Sequence, residues 1–125
     1  ADAWERFHDR QGPAANLTVS SDGGGCLPIF DDNGNKVKMD FATSAGLTET
    51  LQELLRRGHE LEDVLPAMTS NVANYLRLRG KGRIELGSDA DLVCLDAAGR
   101  VRHVMAGGCW MVQDGSPVVK GTFER

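Results

Sequence analysis

Residues 16–25 read Asn16-Leu17-Thr18-Val19-Ser20-Ser21-Asp22-Gly23-Gly24-Gly25. The β-branched residues in the first part of this run predict a short strand over residues 16–21. Asp22 stands where that strand ends, and three glycines follow. Because glycine carries no Cβ, a ligand or a metal ion can come close to the backbone beside the carboxylate. The same pattern is more often that of an aspartate that binds turn amides, and the residues alone leave both interpretations open.

The segments around this run predict helices first and strands later. Helical periodicity predicts helices over residues 1–10 and 47–57 and a third helical region over 62–78, which Pro66 kinks or splits. Residues 26–46 lack strong periodicity, apart from a turn at 31–35 and a brief strand at 36–39. After a junction at 78–82, short strands that suit an antiparallel layer or half of a sandwich are predicted at 83–86, 91–95, 101–105, 109–112 and 118–119.

Composition excludes several classes of protein. The chain has 125 residues, of which 41% are hydrophobic and 26% charged, so neither disorder nor a coiled coil fits. With 14 basic and 18 acidic side chains and no basic block, no nucleic-acid partner is expected. No apolar run approaches the roughly 20 residues of a membrane helix. Three scattered cysteines indicate a reducing compartment, and we expect a cytoplasmic location. Cys94 and Cys109 are predicted to behave as small hydrophobic residues on apolar strands.

Other patterns that could carry chemistry are weaker than the one at Asp22. The three histidines, at 8, 59 and 103, lie far apart without a metal-binding motif. The run from Asp31 is a poor calcium loop, because its sixth position is Lys36 and its twelfth is Ala42. Ser20 and Ser21 have no G-x-S-x-G context. One carboxylate therefore stands out, and the sequence shows no partner for it.

Three stretches resemble a known family. Gly82 to Asp96, which read GRIELGSDADLVCLD, resemble the G-x-I-x-x-G-x-D-A-D-L-V-x-L-D tail shared by metal-dependent amidohydrolases. Leu17 to Asp32, which read LTVSSDGGGCLPIFDD, are similar to isoaspartyl dipeptidases (β-aspartyl peptidases) within that superfamily. Val119 to Glu124, which read VKGTFE, resemble the same family. The similarity runs in the same order from Leu17 to Glu124 and covers most of the chain.

The resemblance implies an α/β fold in two parts. Residues 1–79 would be the C-terminal end of a catalytic (β/α)8 TIM-like barrel, comprising its last strand and the helices that follow. Residues 80–125 would be the C-terminal strands of a small β-sandwich. The family's other metal ligands, an H-x-H pair, a carboxylated lysine and two further histidines, belong upstream of Ala1. Since the chain also lacks an initiator methionine, we expect a C-terminal fragment that is inactive without its missing N-terminal part.

The resemblance also implies a reaction and its residues. The family hydrolyses β-aspartyl dipeptides with two zinc ions bridged by a hydroxide, and Asp22 matches the aspartate that ligates zinc and shuttles the proton. Cys26 lies where the family carries a serine that donates a hydrogen bond to the substrate α-carboxylate. A thiol is a weaker donor, so the backbone amides of Gly24 and Gly25 are expected to share or replace that role. A homo-oligomer is also expected.

Two alternatives remain open at this point. The first is another amidohydrolase with a similar tail, such as a deacetylase or a dihydroorotase-like enzyme, whose substrate loops would lie upstream. The second is a non-catalytic β-rich assembly module that folds alone.

Overall fold

The structure, a computed structural model, describes residues 1–122. Phe123 and Glu124, at the end of the last stretch that resembles the family, lie outside the described residues. The helices in this part of the chain are α1 (Asp2–Asp9), α2 (Gly46–Arg56), α3 (Leu61–Val64) and α4 (Ser70–Tyr75), with 3-10 turns at Ala14–Asn16 and Leu65–Met68. The strands are β1 (Cys26–Phe30), β2 (Lys36–Phe41), β3 (Leu92–Leu95), β4 (Val101–Ala106), β5 (Cys109–Gln113) and β6 (Ser116–Pro117). None of the helices in residues 1–122 is long and apolar enough to cross a membrane.

The hydrophobic core lies among the helices. Leu54 of α2 and Val64 of α3 are completely buried, and the other members of this cluster are Trp4, Leu51 and Ala67. The predicted helix over 47–57 is confirmed, and Leu51 and Leu54 lie on the face that packs inward. Gly58 follows the end of α2, and its φ of +93° suits a residue without a Cβ. There the amide of Gly58 donates to the carbonyl of Leu55 and the amide of His59 to that of Leu54.

Pro66 splits the third helical region, as predicted. Helix α3 ends at Val64, a 3-10 turn carries the proline, and α4 begins at Ser70. The same pattern predicts Leu76 on the core face, and this is wrong because its side chain is 57% exposed. The reason is that α4 ends at Tyr75 and the chain turns away at Arg77, which has a φ of +55°.

The predicted strand over residues 16–21 does not form. Residues 14–16 make a 3-10 turn, and the chain then runs extended to the glycines without a ladder partner among residues 1–122. A β-strand needs a neighbour for its amides and carbonyls, and the described residues place none beside this segment. The amide of Val19 instead donates to the carbonyl of Ala67, at 2.9 Å.

Residues 26–41 form an antiparallel hairpin, of which the sequence analysis predicted the turn and part of the second strand. Asp31 makes the turn by accepting hydrogen bonds from the amides of Asn33 and Asn35, at 2.9 and 2.8 Å. Strand β1 was missed because Pro28 lies inside it and every residue of both strands is exposed, so no inward-facing alternation marks it.

The C-terminal part forms a four-stranded antiparallel sheet in the order β3-β4-β5-β6. The predicted strands at 91–95, 101–105 and 109–112 are confirmed. The one at 118–119 is displaced to Ser116–Pro117, because Asp114 and Gly115 both have positive φ and turn the chain within two residues. Residues 83–86 form no strand, and Ile84 and Leu86 there are 90% and 105% exposed.

The prediction that Cys94 and Cys109 behave as small hydrophobic residues in apolar strands is wrong in one respect. Both thiols are exposed, and both are free of disulfides. Cys94 lies opposite His103 and Cys109 opposite Ala106, in a sheet that is one layer thick within residues 1–122. Such a layer leaves one of its faces open at these positions.

Contacts within residues 81–107 hold this stretch together, and a hydrogen bond from Gln52 joins it to α2. The ammonium group of Lys81 binds the carboxylates of Asp89, at 2.9 Å, and Asp91. Asp91 also accepts a hydrogen bond from the amide of Gly107, at 2.7 Å. On the other side, Gln52 of α2 donates to the carbonyl of Gly99, at 3.0 Å. Asp89 and Asp91, in the motif that resembles the family, therefore hold the loop that leads to β3.

Truncating the core should destabilise the chain far more than truncating the surface. Leu54→Ala removes a completely buried side chain and should lower the free energy of unfolding by about 2–5 kcal/mol. The matched control, Leu76→Ala, alters a side chain that is 57% exposed and should change it by no more than about 0.5 kcal/mol. Urea unfolding of the 125-residue chain measures both, and equal losses in the two variants would contradict this core.

A network of charges joins α1 to the end of α2. Arg57 binds the carboxylates of Asp2 and Glu5 in α1 and that of Glu53 in its own helix. Hydrogen bonds from Arg56 and then Arg57 hold the pKa of Glu53 at about 2, below its ordinary 4.5. A hydrogen bond to His59, at 2.9 Å, is the largest cause of the lowered pKa of Glu5.

This network should fail in acid. Because the pKa of Glu53 is lowered in the folded chain, its stabilisation is present above pH 4.5 and is lost as the pH falls toward 2. Urea midpoints should therefore separate the parent chain from Glu53→Gln at pH 7, and this separation should be smaller at pH 3 and vanish only below about pH 2. A separation that is the same at both values would show that Glu53 makes no such contribution.

Candidate functional site

Asp22 begins a tight turn. The amide of Gly25 donates to the Asp22 carbonyl at 2.7 Å, which closes a β-turn with Gly23 and Gly24 at its centre. Gly24 has a φ of +86°, as the third position of a type II turn requires. Asp22 itself has a φ of +50°, a left-handed conformation that aspartate tolerates better than most residues. The hydroxyl of Ser21 accepts a hydrogen bond from the amide of Gly23, at 3.2 Å.

The turn is fastened to the base of the hairpin. The amide of Gly24 donates to the carbonyl of Ala42, and the amide of Ala42 donates to the carbonyl of Gly25, both at 2.9 Å. That the amides of Gly24 and Gly25 bind a substrate carboxylate stays a prediction. Both amides already donate within the fold, Gly24 to Ala42 and Gly25 to Asp22.

The Asp22 side chain is exposed beside this turn. No hydrogen-bond donor from residues 1–122 binds its carboxylate, so its oxygens face solvent with their lone pairs free. The carboxylate lies directly over Gly25, where a Cβ would be 2.4 Å from Oδ2. Cys26 follows at the start of β1, also exposed, with Phe41 opposite it.

Residues 1–122 do not by themselves make a metal site. No group of three or more histidine, cysteine, aspartate or glutamate side chains lies together in that part of the chain. The histidines are engaged elsewhere: His8 stacks on Trp4, His59 binds Glu5, and His103 contacts Trp110. The carboxylate of Asp22 is of a type that can ligate zinc, and it would supply one ligand of such a centre.

Asn71 holds the segment that leads to Asp22, and the sequence analysis did not single it out. Its side chain is 7% exposed, and its amide group donates to the carbonyls of Ala14 and Leu17, at 2.7 and 2.9 Å. These bonds satisfy two carbonyls that no strand satisfies. A signal was present in the sequence, since Asn71 is a polar residue among the apolar positions of a short helix.

The sequence profile of the amidohydrolase family matches residues 9–111. The chain belongs to the amidohydrolase family.

The relatives within this family are of two kinds. A β-aspartyl dipeptidase from Fervidobacterium islandicum AW-1, solved in complex with the dipeptide β-Asp-Leu, superposes on 97% of this chain with a TM-score of 0.83 and 34% identity. A second structure of a β-aspartyl dipeptidase from that organism also covers 97% of the chain, with a TM-score of 0.77 and 25% identity. Allantoinase from Streptomyces avermitilis is 44% identical over an alignment of 64 residues that covers 45% of this chain. The resemblance to isoaspartyl dipeptidases is confirmed.

The chain spans only part of the length of these relatives. It covers 32% and 29% of the two dipeptidase chains and 14% of the allantoinase. The activity of the whole protein is therefore a matter for proposal.

Removing the Asn71 amide should loosen the approach to Asp22. Asn71→Ala removes the donor to the Leu17 carbonyl and leaves the Ala14 carbonyl with only the Leu17 amide, so it should cost about 1–3 kcal/mol of the free energy of unfolding. Asn74→Ala, in the same helix but exposed, should cost no more than about 0.5 kcal/mol. Hydrogen exchange of the Val19 amide should accelerate in Asn71→Ala only. Unchanged exchange at Val19 would contradict this role.

Proposed function

We propose that this chain supplies Asp22 to the active site of a zinc-dependent dipeptidase that hydrolyses the β-aspartyl bond of dipeptides. The observation that carries the proposal is the exposed Asp22 carboxylate, free of donors from residues 1–122 and held on a turn with hydrogen bonds at both ends. The superposition on a dipeptidase that binds β-Asp-Leu supports the substrate class, because it extends over 97% of the chain.

Asp22 would act as a ligand and as a carrier of one proton. Zinc, when bound, supplies a Lewis acid that brings the pKa of water toward neutrality. The Asp22 carboxylate then accepts the proton of the attacking water and holds it as a carboxylic acid. It donates that proton to the departing amine, which must be protonated to leave. The hydrogen bonds of the turn hold the backbone that carries this carboxylate.

In the whole protein, other residues would surround Asp22. The remaining zinc ligands would come from outside residues 1–122, since one carboxylate cannot hold two ions. Residues 1–79 would complete the end of a (β/α)8 barrel and residues 80–125 part of a β-sandwich, in a cytoplasmic homo-oligomer. The thiol of Cys26 would donate to the substrate α-carboxylate. The space above Gly24, where a Cβ would meet nothing within 4 Å, would let the substrate backbone approach.

A second candidate is the activity of the other relative, allantoinase. The observation in its favour is 44% identity, higher than that of either dipeptidase. It extends over only 64 residues, whereas the dipeptidase likeness covers nearly the whole chain. We therefore rank it second, and an assay with both substrates separates the two.

Neutralising the proposed proton carrier should abolish most of the activity. In the active enzyme that contains these residues, Asp22→Asn should lower kcat for β-Asp-Leu by about 100-fold to 10,000-fold, because an amide can neither accept nor return the proton. The fold should persist, since Asp22 is exposed, and circular dichroism checks this.

The matched control is Asp32→Asn, an exposed aspartate in the hairpin turn, which should leave kcat within about twofold of the parent value. Hydrolysis of β-Asp-Leu and of allantoin is measured side by side for all three proteins. Unchanged kcat in Asp22→Asn would refute the proton-carrying role, and turnover of allantoin alone would favour the second candidate.

A further inference from the structure

We infer that Gly25 is a positioning residue, whose missing side chain fixes where the Asp22 carboxylate lies. The inference rests on the proposed function of Asp22 and adds the means by which the carboxylate is aimed. A Cβ at residue 25 would lie 2.4 Å from Oδ2, 2.6 Å from Cγ and 2.7 Å from Oδ1 of Asp22. All three atoms of the carboxylate thus occupy space that only glycine leaves free.

The backbone conformation gives a second reason for this role: the space beside residue 25, and not its φ angle, requires a glycine there. Gly24, its neighbour, needs to be glycine because its φ is +86°, and a Cβ there would meet nothing within 4 Å. Gly25 is the reverse case. Its φ is not in the left-handed region, so other residues could adopt its backbone conformation, and only the Asp22 carboxylate stands in their way.

The rest of the turn would not yield to relieve the contact. The Gly25 amide is bonded to the Asp22 carbonyl and the Gly25 carbonyl to the Ala42 amide, so both sides of residue 25 are held. The end of the Asp22 side chain is the part free to rotate. To regain an ordinary contact distance of 3.4 Å from a Cβ, its nearer oxygen has to move by about 1 Å.

A displacement of that size should change the reaction rate more than the stability of the fold. A catalytic group misplaced by about 1 Å can lose about 100-fold in rate, because proton transfer demands a close and aligned approach. Since the movement is confined to an exposed carboxylate, the fold should be retained. The consequence to look for is a fall in kcat with little change in KM or in thermal stability.

The experiment compares Gly25→Ala with Gly46→Ala. Gly46 is a good control because its φ is not in the left-handed region and a Cβ there meets nothing within 4 Å. In the active enzyme, Gly25→Ala should lower kcat by about 100-fold and change KM by less than about threefold. Gly46→Ala should alter neither value. The double variant Asp22→Asn/Gly25→Ala should be no slower than Asp22→Asn alone, since both changes act through one carboxylate.

A second readout does not depend on activity. In the 125-residue chain, the carbon-13 signal of the Asp22 carboxyl should shift in Gly25→Ala and stay in place in Gly46→Ala. An unmoved signal, an unchanged kcat or loss of the fold in Gly25→Ala would each overturn the inference. If Asp22→Asn keeps full kcat while the carboxyl signal still moves in Gly25→Ala, the proposed function fails and the steric contact stands.

Discussion

The hydrogen bonds that hold the extended segment before Asp22 are the constraint on which the site depends. This segment has no strand beside it within residues 1–122, so its carbonyls and amides bind the helical layer instead. The side-chain amide of the buried Asn71 donates hydrogen bonds to the carbonyls of Ala14 and Leu17. The backbone amide of Val19 donates one to the carbonyl of Ala67. The chain therefore arrives at Asp22 in a defined direction. The hydrogen bonds of the turn and of the hairpin base then hold the backbone beside the Asp22 carboxylate.

The stretch after Gly80 that resembles the family makes packing and ion-pair contacts within the fold. Gly82 lies so close to α4 that a Cβ would be 2.8 Å from that of Ala73 and 2.9 Å from the Thr69 carbonyl. Lys81 gathers Asp89 and Asp91, and a hydrogen bond to Asp91 is the largest cause of the raised pKa of its ammonium group. Gly82 therefore packs against α4, and Lys81 holds the loop that leads to β3.

The helices could be predicted because their periodicity is set by burial in the core. The Pro66 break follows from the chemistry of proline, and most strands of the C-terminal sheet are apolar runs bounded by turn residues. Strand β1 could not be predicted, because its residues are exposed on both faces and show no periodic signal. Residues 83–86 were predicted as a strand, and they form none because no strand among residues 1–122 pairs with them. At the site, Asp22 is visible in the sequence through its glycines. The roles of Asn71 and Gly25 are not, because each depends on a contact between residues whose separation the sequence does not reveal.

The central claim is that Asp22 is one ligand of a zinc centre whose other ligands lie outside these residues. Isothermal titration of the 125-residue chain with zinc, alongside an assay of β-Asp-Leu hydrolysis, tests it most directly. We expect no stoichiometric tight binding and no turnover, because a single exposed carboxylate is a weak ligand and residues 1–122 bring no second one to it. Tight binding of two zinc ions with turnover by this chain alone would contradict the account.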